Sequence, residues 1–350
     1  MPLPPLYGHE RLRNRLAGAI ASGRLPQALL FEGPRGVGKQ RLALWLAQAL
    51  LCERGRGTGE GCGSCRACKL VATLSHPDLH WFVPIEPPPS KRSGDADKQV
   101  DLVEGALAEE MAARRERPLY EPASGLASHA IASVRLLLRR LVLTPVMGRR
   151  KVFIVGDAER LVPQRANPEA ANALLKALEE PPADTNFVLT ASDATALLPT
   201  IMSRIVRVRV ARLADSVVVS FIQRELKPAA KAQELGHEVA LAQGCIGRLL
   251  ANQGAGAAEA AAVFLKSVEG GPASWYAHSL AQAPYQARGA FTDMLDELLD
   301  RLRAQARERG ETRKVVQAIA RVLEARAMAQ GNVNPQLVAA VLAEDLAETR

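Results

Sequence analysis

The sequence predicts an α/β fold with a parallel sheet over residues 1–212, followed by an all-helical remainder, on three observations. Short apolar segments alternate with segments of helical periodicity up to about residue 212, the pattern of a parallel sheet buried on both faces. Beyond that point no segment reads convincingly as a strand. Ala, Leu and Arg dominate while aromatic residues make up only 4%, which favours helices over a β-sandwich.

Taken in order, Leu12, Leu16 and Ile20 recur at helical spacing within 10–23, and Leu29, Leu30 and Phe31 form a short strand running into glycines. Residues 41–51 (RLALWLAQALL) continue as a helix, and a second strand is expected at 79–83 beside SHPD. Over 86–127 the composition changes to EPPPSKRSGDADK and then EEMAARRERP. That stretch reads as an insertion, flexible or loosely helical, adding little to the core. A helix at 134–142 precedes GRRKVFIVGDAERL, in which 152–155 is an apolar strand ending in an acid. The helix NALLKALEE stops at Pro181 and Pro182, and a strand at 187–190 follows. Val206, Val208 and Val210 alternate with Arg207 and Arg209 as a half-exposed strand. Residues 213–255 then read as a small helical unit and 256–350 as a longer one. In the latter, Leu295, Leu298, Leu299 and Leu302 share a face, and Asn334 with Pro335 starts the last helix.

At 350 residues two or three domains are expected, and 48% hydrophobic content suffices for packed cores. No apolar run approaches the ~20 residues that span a bilayer, and MPLPPLYGHERL lacks the regions of a signal peptide. A cytoplasmic protein without membrane contact is the expectation. The formal charge of +8 suits a polyanion such as DNA and equally suits general arginine-rich usage. Of the five cysteines, four fall between 52 and 68, which points to a metal cluster in a reducing compartment rather than to disulfides.

The stretch GPRGVGKQ, from Gly33 to Gln40, matches a phosphate-binding loop except at its last position. Gly33, Gly36 and Gly38 let the backbone approach phosphates, and Lys39 is placed to neutralise them. Gln40 stands where a Ser or Thr hydroxyl would ligate Mg²⁺, and an amide oxygen is a weaker, bulkier ligand for a hard cation. ATP with Mg²⁺ is therefore expected to bind weakly at best. Asp157 ends an apolar strand as a metal-facing acid would, but the next position, where a hydrolytic acid is needed, is Ala158. Glu159 should point to the other face by strand alternation, the alternative being that it or another acid substitutes. Cys52, Cys62, Cys65 and Cys68 have the spacing C-x9-C-x2-C-x2-C, four thiolates suited to a closed tetrahedral zinc site. Cys245 is isolated and reads as packed. His76 and His80 read as local structural residues, four cysteines already closing the metal shell. Arg204, after Pro199 and Thr200, is either a solvated charge or an arginine finger for a neighbour's nucleotide.

YGHERL, LPQALLFEGPRGVGK, the four-cysteine insertion, HPD, LTPVMGRRKVFIVGDAERL, NALLKALEEPP and PTIMSR together resemble the bacterial clamp loader family of AAA+ proteins. The likeness is close over 6–83 and 130–212 and looser beyond. It implies an AAA+ domain over 1–212 carrying the zinc module 52–68 and the insertion 86–127, a helical lid over 213–255 and a helical collar over 256–350. It further implies a stator that scarcely hydrolyses ATP itself, with Arg204 acting in trans on a neighbour. The family's S-R-C motif stands here as Ser203, Arg204, Ile205. By the same resemblance Thr190 and Arg248 occupy sensor positions, and Tyr7 and Gly8 fall where adenine is contacted. The implied partners are the loader's ATPase motor subunits and delta subunit, the sliding clamp and primed DNA. Arg149, Arg150 and Lys151 are open to two readings, facing DNA or plain solvated charge. An ATP-hydrolysing motor subunit and a zinc-dependent DNA-binding module are the rival readings.

Overall fold

The computed structural model describes residues 3–55, 59–86, 95–119, 127–161, 169–229, 231–250, 253–284, 289–309, 313–331 and 333–348. Its packing divides into two compact units, one running to Leu250 and the other from Ala251. Helix α1 (Glu10–Ala21) leads to strand β1 (Ala28–Glu32), whose first four residues are buried. The chain then turns through Gly33–Gly38 into α2 (Lys39–Leu51). After α3 (Arg66–Ala72) and β2 (Leu79–Phe82) come α4 (Ala96–Glu116), α5 (Ile131–Leu141) and β3 (Lys151–Val155). Helix α6 (Glu169–Glu179), β4 (Thr185–Ala191), the short α7 (Pro199–Met202) and β5 (Val206–Arg209) complete the sheet.

The five strands are all parallel, in the order β2-β3-β4-β1-β5. β3 and β4 are buried along their whole length, and residues 152–155 and 187–189 form the apolar runs expected of central strands in a parallel sheet. β5 is one of the two edges: Val206, Arg207 and Arg209 are exposed, and Arg207 pairs with Glu32 of β1 at 2.8 Å. One apolar core joins the sheet with α2, α5 and α6, filled by Leu30, Phe31, Leu42, Phe153, Leu174 and Phe187.

The insertion departs from expectation. Rather than loose filler, its described part contains the 21-residue α4, whose Val100, Val103 and Leu107 are buried in the main core. Those residues recur at intervals of three and four, so they line one helical face. Arg139 and Arg140 of α5 pair with Asp97 and Glu104 of α4. A backbone bridge between Ile85 and Ser128 clasps the insertion's two ends. Lys151 also corrects the sequence reading. It is buried, donating to the carbonyls of Leu141 and Leu143 near Asp184, so it closes the turn before β3 and faces no solvent.

Residues 213–250 group with the sheet unit. They hold α8 (Asp215–Phe221), which widens into a single π-type turn at Ile222–Leu226, then α9 (Ala232–Ala242) and α10 (Gly247–Leu250) around Leu213, Val218, Ile222 and Ala242. The second unit packs α11 (Gln253–Glu269), α12 (Pro272–Leu280), α13 (Ala290–Arg309), α14 (Arg313–Gln330) and α15 (Pro335–Glu348) around its own core. Leu295, Leu298 and Leu299 sit in that core with Phe264, Val322 and Leu342, and Leu302 packs at its margin. Asn334 caps α15 by accepting from the Gln336 N–H at 2.9 Å. Among the described residues no helix is long and apolar enough to cross a membrane.

Candidate functional site

The phosphate loop is built at the C-terminal end of β1. Gly36 and Gly38 have φ of 78° and 102°, which side-chain-bearing residues rarely adopt, and Gly38 directly precedes α2. A Cβ on Gly33 would lie 2.3 Å from the Val210 carbonyl oxygen, so the loop must be glycine at its base as well. Within this loop Lys39 is 5% exposed, and its Nζ donates to the Gly33 and Pro34 carbonyls and to Ser192 Oγ, each at 2.9 Å. Burial holds its pKa below the usual lysine value, opposed by the nearby Glu159 and Asp157 carboxylates.

Across from the lysine, β3 ends at Gly156 and Asp157, the latter at φ 49° with its N–H held by Thr190 Oγ1 at 3.0 Å. This positive φ ends the strand and starts a short turn at Ala158–Leu161, so strand alternation no longer applies. Glu159 therefore does not point to the opposite face. Its Oε1 accepts from Ser192 N–H at 3.0 Å, and Oε2 is enclosed with no hydrogen-bond partner among the described residues. Burial, and then the neighbouring Asp157, push its pKa up to about 7. Lys39, Asp157, Glu159 and Thr190 thus share one corner. Gln40 lies beside them: a Cβ on Gly156 would fall 2.9 Å from Gln40 Nε2, so the amide packs on the end of β3. Its Oε1 accepts from Arg114 of α4 at 3.4 Å. A crowded amide already bonded to a guanidinium does not fit the role of a Mg²⁺ ligand.

Tyr7 and Gly8 pack against α8 and the turn after it. Tyr7 donates to Glu225 Oε1 at 2.6 Å and meets the Phe221 ring edge-on at 5.2 Å. Its pKa is pushed up to about 12, by burial first and then by Glu225. Gly8 has φ 67°, and a Cβ there would lie 2.6 Å from Leu213. His9 reaches the loop, 2.9 Å from the Val37 carbonyl oxygen. Arg248 sits on α10, whose first residue, Gly247, donates to the Gly36 carbonyl at 2.8 Å. The loop is therefore touched from the lid side by backbone.

The four cysteines converge at the other end of α2. Cys52 follows its last residue, and Cys65 opens α3 by accepting from the Cys68 N–H at 3.4 Å. All four sulfurs lie within 4.8 Å of one another, with Cys52 to Cys65 at 3.9 Å and Cys62 to Cys68 at 4.0 Å. A tetrahedron with Zn–S near 2.3 Å has edges of about 3.8 Å, so the set fits a four-thiolate ion. The Gly55 N–H donates to Cys52 and the Cys65 N–H to Cys62. Ser64 holds the Cys62 thiol at about 5. His76 instead accepts the Asp78 N–H through Nδ1, and His80 stacks on Phe153, so neither joins the sulfurs. Cys245 is 1% exposed within the core.

Arg204 stands apart from all of these, just after α7. Its guanidinium bonds Glu179 at 3.0 and 3.2 Å, the Thr200 carbonyl at 2.9 Å and Ser203 Oγ at 3.2 Å. Its side chain is 28% exposed and that of Glu179 56%. An ion pair this exposed is weak, about 0–1 kcal/mol, and readily exchanged. Sequence reasoning missed Arg114 and Ser192. Arg114 was hidden in a charged run, although it continues the Val100, Val103, Leu107, Met111 stripe by three residues.

Comparison with known proteins bears on this arrangement. Residues 8–214 match the family model described as DNA polymerase III, delta subunit. The delta prime subunit of Pseudomonas aeruginosa is 35% identical over 180 residues, 51% of this chain and 42% of the relative. That of Bacillus subtilis is 34% identical over 194 residues, 55% and 45% respectively. The tau subunit of Salmonella typhimurium is 28% identical over 233 residues, 67% and 28%. The matched stretches thus span less than half the length of these relatives. A gamma subunit-related protein of Thermotoga maritima aligns over 96% of this chain and 100% of its own, at 15% identity and a TM-score of 0.40. With more than half of its length inside the family model and two delta prime relatives at about a third identity, the chain belongs to the delta prime family of DNA polymerase III subunits.

Proposed function

We propose that the chain is a stator of a clamp loader: it hydrolyses little ATP itself, lends Arg204 to the nucleotide of a neighbouring ATPase subunit and so helps place the sliding clamp on primed DNA. The reading is carried by a contrast in how charges are committed. Lys39 is buried with its donors taken up inside the chain, whereas Arg204, although it bonds Glu179, Thr200 and Ser203, does so at the surface, where its exposed carboxylate partner is exchangeable. A planar guanidinium with several donors is the side chain suited to charge developing on a transferred phosphoryl group. In this reading a neighbour's triphosphate replaces Glu179 as the partner of the guanidinium. Zinc is the metal we assign to Cys52, Cys62, Cys65 and Cys68, where it would tie the end of α2 to α3 and contribute folding energy rather than catalysis. Residues 213–255 serve as the lid and 256–350 as the collar that packs against sister subunits.

The test is a reconstituted loader carrying Arg204→Ala. Complex assembly should survive while ATP turnover at the adjoining site falls by about 10³-fold or more; turnover equal to the wild type removes the finger role. A second reading, an ATPase active by itself, has one observation in its favour, the Glu159 carboxylate facing Lys39 beside Asp157. Turnover by the isolated chain that vanishes with Lys39→Ala would establish it.

A further inference from the structure

Helix α4 lies in the segment that the sequence left without a role, and its last turn reaches the phosphate loop. Val100, Val103 and Leu107 seat it in the core, and two arginines of α5 pair with its acids. At Arg114 the helix turns a charge inward. That residue is 2% exposed, its guanidinium carbon lies 4.5 Å from the centre of the Trp81 ring, and Nε donates to Glu110 at 2.8 Å. Burying a guanidinium is costly unless it is stacked and hydrogen-bonded. Here an aromatic face, a carboxylate and the Gln40 amide oxygen, at 3.4 Å, supply both.

Gln40 is also the residue whose place belongs to a metal ligand in a hydrolytic loop. Its oxygen already accepts from a permanent cation, and the rest of its amide abuts Gly156 beside Asp157. A divalent ion bound to that oxygen would sit within a few ångströms of the buried guanidinium, where like charges repel more strongly than in bulk water. The same guanidinium can provide what the ion provides, a fixed positive charge near a polyphosphate. No other cation from α4 is needed. Lys39, held at the Gly33 and Pro34 carbonyls, is the second cation available to the loop.

We propose that Arg114 of α4 takes the place of the divalent cation in this pocket, so that the loop Gly33–Gln40 accepts a nucleoside polyphosphate without Mg²⁺ and excludes Mg²⁺ when phosphate is bound. The inference rests on reading Gly33–Gln40 as a phosphate loop and is independent of Arg204. It makes the insertion a working wall of the pocket.

The experiment titrates the full chain with fluorescent ATP in EDTA and in Mg²⁺, comparing wild type with Arg114→Met, Arg114→Lys and the double variant Arg114→Met, Gln40→Thr. The wild type should show dissociation constants that agree within about twofold in the two buffers. Arg114→Met should weaken binding in EDTA by about tenfold, Arg114→Lys by less, and the double variant should bind about tenfold more tightly in Mg²⁺ than in EDTA. A wild type that tightens about tenfold with Mg²⁺, or that binds in neither buffer, overturns the proposal. So does a double variant indifferent to Mg²⁺. Melting curves of Arg114→Lys, which keeps the charge and the stem, confirm that the pocket is compared in folded protein. Failure here leaves loader turnover with Arg204→Ala unaffected, so the two readings fall separately.

Discussion

The two ends of α2 carry the chain's two best motifs, and they treat them differently. At the C-terminal end, four sulfurs from Cys52 and the following turn converge at tetrahedral spacing, supported by backbone N–H groups. Nothing else in the protein competes for them among the described residues. At the N-terminal end the glycine loop has its required backbone, but its working side chains are engaged: Lys39 by loop carbonyls and Ser192, and Gln40 by Arg114. A spacing pattern therefore specifies backbone geometry at both ends. Whether chemistry is left over for a ligand depends on what packs in from elsewhere, here from a helix some seventy positions further along.

Removing the metal at the cysteine end of α2 should cost the most stability. The purified chain is expected to carry one zinc, and structural zinc sites in isolated fingers contribute about 10–16 kcal/mol of apparent binding energy. Chelation should lower the melting temperature and expose four thiols, and Cys68→Ser should lower it with three thiols left; protein free of zinc with an unchanged melt would contradict the assignment. Next in size, Leu107→Ala in α4 should cost about 2–5 kcal/mol, because the side chain is 5% exposed in the main core. A cost near zero in denaturant titration would mean that α4 is not docked, and Arg114 with it.

The smallest effect sharpens the comparison at the loop. The Glu159 carboxyl titrates near 7 in the folded chain against an ordinary 4.5, because it is enclosed beside Asp157. Folding thus binds its proton more tightly. The resulting stability is full below the ordinary value and is lost as pH rises from 4.5 towards 7. Between mildly acidic and mildly alkaline buffer the wild type should lose about 1–3 kcal/mol relative to Glu159→Gln. Parallel pH profiles of the two proteins would contradict that enclosure.

The central strands are legible because they are buried on both faces and so carry continuous apolar runs, as at Phe153 to Val155 and Phe187 to Leu189, and the edge strand β5 is legible as an alternation of Val and Arg. The loop and the cysteine cluster were legible because each is local, its residues brought together by a single turn or two. What escaped notice was long-range or hidden by composition. Helix α4 carries three buried apolar residues among many charges, so its average polarity masked its stripe. Glu159 was misplaced because Asp157 leaves the strand at positive φ, a turn that residue type alone does not announce. Lys151 was counted with its arginine neighbours, though a lysine between two backbone carbonyls belongs to the interior.

In the proposed reading this chain serves another subunit's nucleotide and hydrolyses little in its own loop. Steady-state ATP turnover of the loader, assembled with wild-type or Arg204→Ala chain and supplied with clamp and primed template, tests it most directly. Assembly should stay intact with turnover at the adjoining site down by about 10³-fold or more, and the chain alone should show no appreciable turnover. Full turnover with the alanine variant in place would contradict it.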